Sequence, residues 1–131
     1  MEKKPVNPWK WQDQFGFSQA VEVKSGERVL YCAGQTASDA DGKTQHVGDM
    51  KGQISLALDN LETVLKQAGM NLSNVVRLNY YTPNVDLLLE NYGVLVERLN
   101  RASCKPASTL LGVARLAFPD LLIEIEATAV A

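Results

Sequence analysis

Apolar and polar residues alternate along parts of this chain and recur at helical spacing along others, a switch of period that separates strands from helices. Ser18 to Val23 and Arg28 to Gln35 read as two short strands, and Lys24-Ser25-Gly26-Glu27 between them reads as the turn of a hairpin. Asp41-Gly42 marks a second turn before a short extended piece that runs through Gln45, which places three strands ahead of the first helix. Asp49 is suited to cap that helix, whose stripe is Met50, Ile54, Ala57, Leu58, Leu61, Val64, Leu65 and Ala68, and Gly69 is suited to end it. Val75 to Thr82 is rich in β-branched and aromatic residues and predicts a strand that stops at Pro83. A second helix follows, capped by Asn84 or Thr82, with Val85, Leu88, Leu89, Tyr92, Leu95, Val96 and Leu99 as its stripe. Thr109 to Leu116 and Leu121 to Val130 read as two closing strands on either side of Phe118-Pro119-Asp120.

The predicted order is βββαβαββ, an α+β sandwich in which a mixed sheet carries both helices on one face. Val29 to Ala33, Val75 to Tyr81 and Thr109 to Val113 read as apolar on both alternating faces, so the face away from the helices is also expected to be hidden. No third layer remains in the sequence, and another copy of the chain is the expected cover.

At 131 residues the chain is read as one domain, with residues 1–14 as an N-terminal segment. Hydrophobic residues at 46% and charged residues at 21% are the balance of a globular protein. A formal net charge of −2 gives no electrostatic reason to approach a phosphate backbone, so nucleic acid is not an expected partner. No apolar run is long enough to cross a bilayer and the first ten residues lack a signal peptide's apolar core, so the expected setting is cytoplasmic, without a membrane partner.

Candidate chemistry is sparse. Cys32 and Cys104 fit neither a disulfide framework nor a zinc knuckle, and Cys32 within Val29-Leu30-Tyr31-Cys32-Ala33 reads as a small buried hydrophobe. His46 is the sole histidine and reads as an exposed turn residue, so neither a metal cluster nor a Ser-His-Asp arrangement is expected. Trp9, Trp11, Phe15 and Phe17 either staple the terminus to the body or cover a pocket. Glu124 and Glu126 alternate with Ile123, Ile125 and Ala127 and project from one face of the last strand. On a solvent face they are a wet edge; in a cleft, where desolvation strengthens a carboxylate's hold on protons, one could transfer a proton. Pattern alone leaves both readings open.

These residues together resemble the YjgF/Rid family of imine deaminases, also labelled endoribonuclease L-PSP-like. The resemblance runs through Phe17-Ser18-Gln19-Ala20-Val21, Ala33-Gly34-Gln35, Asp39 with Gly42, Gly48-Asp49 with Gln53, Asn60-Leu61, Ala68-Gly69, Asn91, Pro106-Ala107, Val113-Ala114-Arg115-Leu116 and Ile123-Glu124-Ile125-Glu126-Ala127. It covers the chain from about Phe15 to the end. It implies a chorismate-mutase-like α+β fold and a homotrimer with small-molecule ligands in three intersubunit clefts. It further implies hydrolysis of an imine or enamine such as 2-aminoacrylate to a keto acid and ammonia, without metal or organic cofactor. The family's acid/base glutamate matches Glu124, and its substrate contacts match Phe17, Ala33, Gly34, Asn91, Ser108 and Leu110.

Two departures set this chain apart. Pro106-Ala107-Ser108 stands where the deaminases have Pro-Ala-Arg, so the guanidinium that clamps a substrate carboxylate is missing. Phe17 after Gly16 stands where the family has a tyrosine. Losing one partner of a desolvated charge pair costs about 2–5 kcal/mol, which a serine cannot restore. Lys105, three residues before Ser108, is expected to point the other way, and Arg115 matches a separate family position. The expectation is therefore a Rid-like hydrolase of substrates lacking the α-carboxylate, the alternative a non-catalytic trimer that binds small metabolites.

Overall fold

The computed structural model describes residues 1–131. Its elements are β1 (Glu2–Val6), β2 (Ala20–Lys24), β3 (Val29–Gln35), α1 (Met50–Gln67), β4 (Val75–Thr82), α2 (Val85–Glu90), α3 (Gly93–Arg101), β5 (Ala107–Gly112) and β6 (Glu124–Val130). The main sheet runs β3-β6-β4-β5, with β6 antiparallel to both neighbours and β4 parallel to β5. A parallel pair needs a crossover, which α2 and α3 supply. The architecture is the mixed-sheet α+β fold that the periodicity predicts.

The helix α1 forms as its sequence dictates. The Asp49 carboxylate accepts from the Gly52 N–H at 3.1 Å, satisfying one of the amides left free at a helix start. At the other end Gly69 takes φ +73°, and the Met70 N–H reaches back to the Leu65 carbonyl at 2.9 Å, so the chain leaves the helix through a left-handed residue. Between these caps Ile54, Ala57, Leu58, Leu61 and Leu65 are fully buried against the sheet's inner residues Leu78, Tyr80, Ile125 and Ala129.

Four expectations need correction. The predicted second helix is two: α2 ends before Asn91 and α3 begins at Gly93, so three helices cover the sheet. The Asn91 amide donates to the Leu87 carbonyl at 2.8 Å, and a short polar side chain competing for the backbone, followed by a glycine, interrupts a helix whose apolar stripe runs on.

Secondly, β2 and β3 do not form a hairpin. β3 pairs with β6, while β2 pairs with β1, a strand that lies in the N-terminal segment and that the pattern does not predict. The intervening turn is tied instead to the C-terminus, Glu27 and Arg28 both donating to the Ala131 carbonyl at 2.9 and 2.8 Å. Alternation shows that a strand forms without showing its partner, and β1 is exposed throughout, so no apolar period marks it.

Thirdly, the piece ending at Gln45 is a loop with a single bridge, Ser38 to Thr44. The Asp39 carboxylate shapes it by accepting from the Asp41 and Lys43 N–H groups, each at 2.9 Å.

Fourthly, the underside of the sheet is not uniformly apolar. Cross-strand neighbours there include Tyr31 with Thr128, Asn79 with Glu126 and Thr109, and Tyr81 with Glu124. The apolar contribution comes from the margins, where Val29, Tyr31 and Leu111 are exposed. Buried Cys32 agrees with its reading as a small hydrophobe, and His46 is exposed as expected. No helix is long and apolar enough to cross a membrane.

Candidate functional site

Glu124 opens β6, and the chain that leads to it is fixed by two buried polar side chains. Gln53 in the first turns of α1 is fully buried; its amide nitrogen donates to the Asp120 carbonyl at 2.9 Å and its oxygen accepts from the Leu122 N–H at 2.8 Å. Thr82, at the end of β4 and also fully buried, donates its hydroxyl to the Leu122 carbonyl at 2.7 Å. Both polar groups of Leu122 are therefore taken up by side chains, and an irregular segment enters β6 at a set position.

The two carboxylates that the sequence left equivalent differ in their surroundings. Glu126 accepts from the Tyr81 hydroxyl and from the Asn79 amide, the latter at 3.0 Å. The Tyr81 bond first, then Asn79 and the Arg77 charge, hold the Glu126 carboxyl below the usual carboxylate range, while the same contact raises the Tyr81 phenol. Glu126 is thus committed to the sheet's underside. Glu124 is half-buried and makes no hydrogen bond or ion pair within the chain.

The sign of the Glu126 shift fixes a pH dependence. A carboxyl depressed in the folded state adds stability above its unfolded pKa and loses it as pH falls through the folded value. Tyr81→Phe is expected to destabilise the protein at neutral pH, with the gap to wild type narrowing under acid, as read from urea midpoints across a pH series.

Gly34 makes room for Glu124. A Cβ at Gly34 would lie 2.6 Å from the Glu124 carboxyl carbon, closer than non-bonded atoms approach. On the side of α1 Gly34 borders a cavity of about 450 Å³ whose polar wall includes Thr36, Ser38 and Asn60. Asn60 fixes that wall by donating to the Thr36 and Ser38 carbonyls at 2.8 and 2.9 Å. Ala33, beside Gly34, is exposed.

The remaining candidates gather elsewhere. Ser108 and Leu110 lie opposite Leu78 and Tyr80 in β4, so they share the helix-side face. The Tyr80 ring packs edge-on against Tyr92 at 6.2 Å, which seats the α2–α3 junction with Asn91 over β4. Tyr92 meets Phe15 at 6.4 Å, Phe15 meets Trp11 at 6.4 Å, and Trp11 meets Phe17 at 5.8 Å. The Ser18 N–H and hydroxyl bond the Pro106 and Lys105 carbonyls at 2.9 and 2.6 Å, laying Phe17 alongside the start of β5. Phe15 therefore does the stapling, while Trp9 and Trp11 remain more than half exposed, at 59% and 56%.

Within one chain, then, Gly34 and Glu124 meet, Phe17, Ser108 and Leu110 form a second group along β5, and Asn91 lies at the α2–α3 junction without a contact to either. Glu124 shares its face with Tyr81 and Leu111, opposite to the face of Ser108 and Leu110. No cation completes the second group: Lys105 lines a cavity with Lys3, and Arg115 is exposed without a partner. Gln53, Thr82, Tyr81 and Tyr92 were not singled out for the site by the sequence; buried polar side chains placed at helix starts and strand ends are the signal that points to the first two. No group of three or more His, Cys, Asp or Glu side chains is placed to hold a metal.

Comparison with known proteins agrees with the fold. The family model described as endoribonuclease L-PSP matches residues 12–131. A RutC family protein of Pyrococcus horikoshii is 32% identical over 126 residues, which cover 96% of this chain and 89% of that protein. The mitochondrial protein mmf1 of Schizosaccharomyces pombe is 30% identical, across 98% of this chain and 75% of its own. Among solved structures, the Rid family protein YyfB of Yersinia pestis, described as of unknown function, superposes with a TM-score of 0.90 at 36% identity over the whole of both chains. With the fold, the matched residues and these relatives in agreement, the chain belongs to the YjgF/Rid (endoribonuclease L-PSP) family.

Proposed function

We propose that this protein is a Rid-type hydrolase of imines or enamines lacking the α-carboxylate, with its site assembled between copies in a homotrimer. The observation that carries the reading is the contrast between two neighbouring glutamates: Glu126 is bound by Tyr81 and Asn79, whereas Glu124 is left unpaired, its carboxyl lodged where Gly34 has no side chain. A small substrate cannot touch Glu124 and Ser108 on opposite faces of one sheet, so a second copy is needed to join the two groups. The patches differ, which makes the contact heterologous, and a heterologous contact that closes forms a ring.

The chemistry asks little of such a site. Water adds to the imine carbon as the Glu124 carboxylate takes one of its protons and passes it to the imine nitrogen, giving the carbinolamine; the carboxylate then takes the hydroxyl proton and delivers it to that nitrogen as the C–N bond breaks, so that the carbonyl forms and ammonia leaves. Holding the reactants in place and moving protons one at a time are tasks for one carboxylate and a few backbone groups. With Ser108 in place of a guanidinium and Phe17 in place of a phenol, the group on β5 offers no charge to a carboxylate and favours neutral substrates.

The test is ammonia release from freshly generated imino acids and neutral imines. Turnover of neutral imines above that of imino acids is expected; no turnover of either would end the reading. Gly34→Ala is expected to push the Glu124 carboxyl aside and lower the rate by about 10²-fold, since a displacement of about 1 Å is enough for that. Melting temperature should hold, because the group that must yield is the free end of a side chain.

Ser108 and Phe17 also motivate a second reading, a non-catalytic binder of small metabolites. Under it, Ser108→Arg yields no deamination even where a carboxylate ligand binds; recovered deamination would count against it. RNA cleavage, which the family's label names, is not favoured by an acidic chain.

A further inference from the structure

Between the β1–β2 ribbon and the main body lies a cavity of about 210 Å³ that the proposed reaction does not use. Two lysines, Lys3 from β1 and Lys105 from the segment before β5, converge on it, with Ser73 and Ser103 at its wall and Val21 and Val75 as apolar surface. No aspartate or glutamate lines it. The acid nearest along β2, Glu22, alternates with Val21 and is taken up by Lys24 at 3.4 Å.

Lys3 is tied to the cavity through its side chain and Lys105 through its backbone. The Lys3 ammonium donates to the Ser73 carbonyl, and an ammonium has three donors, so two remain. The backbone of Lys105 is fixed by the Ser18 hydroxyl, which donates to its carbonyl at 2.6 Å. Burial pushes the neighbouring Cys104 thiol up to about 12, with the Lys3 charge opposing, so this thiol stays neutral and does not serve as the missing counter-ion. The Ser73 hydroxyl is engaged by the Asn71 side chain at 2.5 Å, whereas that of Ser103 makes no bond within the chain.

Two positive charges brought to one cavity without a carboxylate repel each other until an anion joins them. We infer that the cavity binds a small phosphate-bearing anion between Lys3 and Lys105, with the Ser103 hydroxyl as a further donor. Lysines act as point charges suited to phosphate, and no guanidinium is present to clamp a planar carboxylate in two-pronged fashion. The volume lies below the roughly 300–1,000 Å³ of sites for drug-sized ligands, which fits a phosphate group on a short carbon skeleton better than a nucleotide.

The experiment is calorimetric titration of the intact protein with inorganic phosphate, methyl phosphate and acetate at constant ionic strength. Saturable binding of phosphate is expected, at least about tenfold tighter than acetate, a single-contact difference of about 1.4 kcal/mol. Methyl phosphate binding as well would mark an ester as the occupant, and inorganic phosphate alone would mark the free ion. Lys105→Gln and Lys3→Gln are each expected to weaken binding about tenfold or more, while Lys24→Gln on the opposite face of the ribbon leaves it unchanged. Because Lys3 also ties down β1, Lys105→Gln, outside the ribbon, is the deciding variant. Absence of saturable phosphate binding, equal binding of acetate, or indifference to Lys105→Gln would overturn the inference. Ammonia release plays no part in these readouts, so the site stands or falls apart from the proposed reaction.

Discussion

Replacing Glu124 with glutamine is expected to lower ammonia release from a neutral imine by about 10²–10⁴-fold, the contribution that a positioned acid or base makes to a proton transfer. The amide keeps the shape of the side chain and removes only its ability to accept and return a proton. Since Glu124 has no partner within the chain, the folded state loses no hydrogen bond, and the melting temperature should stay close to that of wild type. Glu126→Gln is the matched comparison, for it disturbs the bonds with Tyr81 and Asn79 and so should cost stability while leaving the rate largely intact. A rate assay beside a thermal melt reads both outcomes, and equal loss of activity in the two variants would remove the distinction on which the catalytic assignment rests.

Gln53→Ala is expected to produce the largest loss of stability. The substitution removes the buried partner of the Asp120 carbonyl and Leu122 N–H and also releases the His46 carbonyl, which Gln53 contacts at 3.3 Å. Each buried group left without a partner costs about 1–3 kcal/mol, and a total of about 4 kcal/mol corresponds to a fall of roughly 15 °C in melting temperature for a chain of this size. Because those bonds also set the entry into β6, activity should fall further than the unfolded fraction explains. Calorimetry with parallel rate measurements would show a stable but inactive variant if Gln53 only positioned Glu124, and a destabilised but active one if it only held the core.

The fold was legible where a stripe of side chains had one clear destination. The apolar residues of α1 and its ends at Asp49 and Gly69 follow from rules that act within a few residues, and the structure places them as read. Strand partnership was not legible, because β2 and β3 each show alternation but nothing local records that β3 goes to β6 and β2 to a polar terminal strand. The break at Asn91 was hidden because Tyr92, Leu95 and Leu99 continue the stripe across it. Val75 to Tyr81 reads as apolar throughout because its inward residues dominate the run, yet Arg77, Asn79 and Tyr81 are its outward residues and make the underside of the sheet polar there. The candidate site was legible as a set of residues and not as a place. Pattern put Glu124 and Glu126 on one face, and only their surroundings, a tyrosine and an asparagine around one and a glycine beside the other, separate their roles.

The proposed function joins Glu124 and Gly34 to Phe17, Asn91, Ser108 and Leu110 through another copy of the chain, to which the exposed Val29, Tyr31 and Leu111 at the margins of the underside offer surface. Sedimentation equilibrium at micromolar protein is the most direct test of this claim. The expected result is a single species of three times the 14.4 kDa chain mass; a stable, folded monomer that still turns over substrate would contradict it.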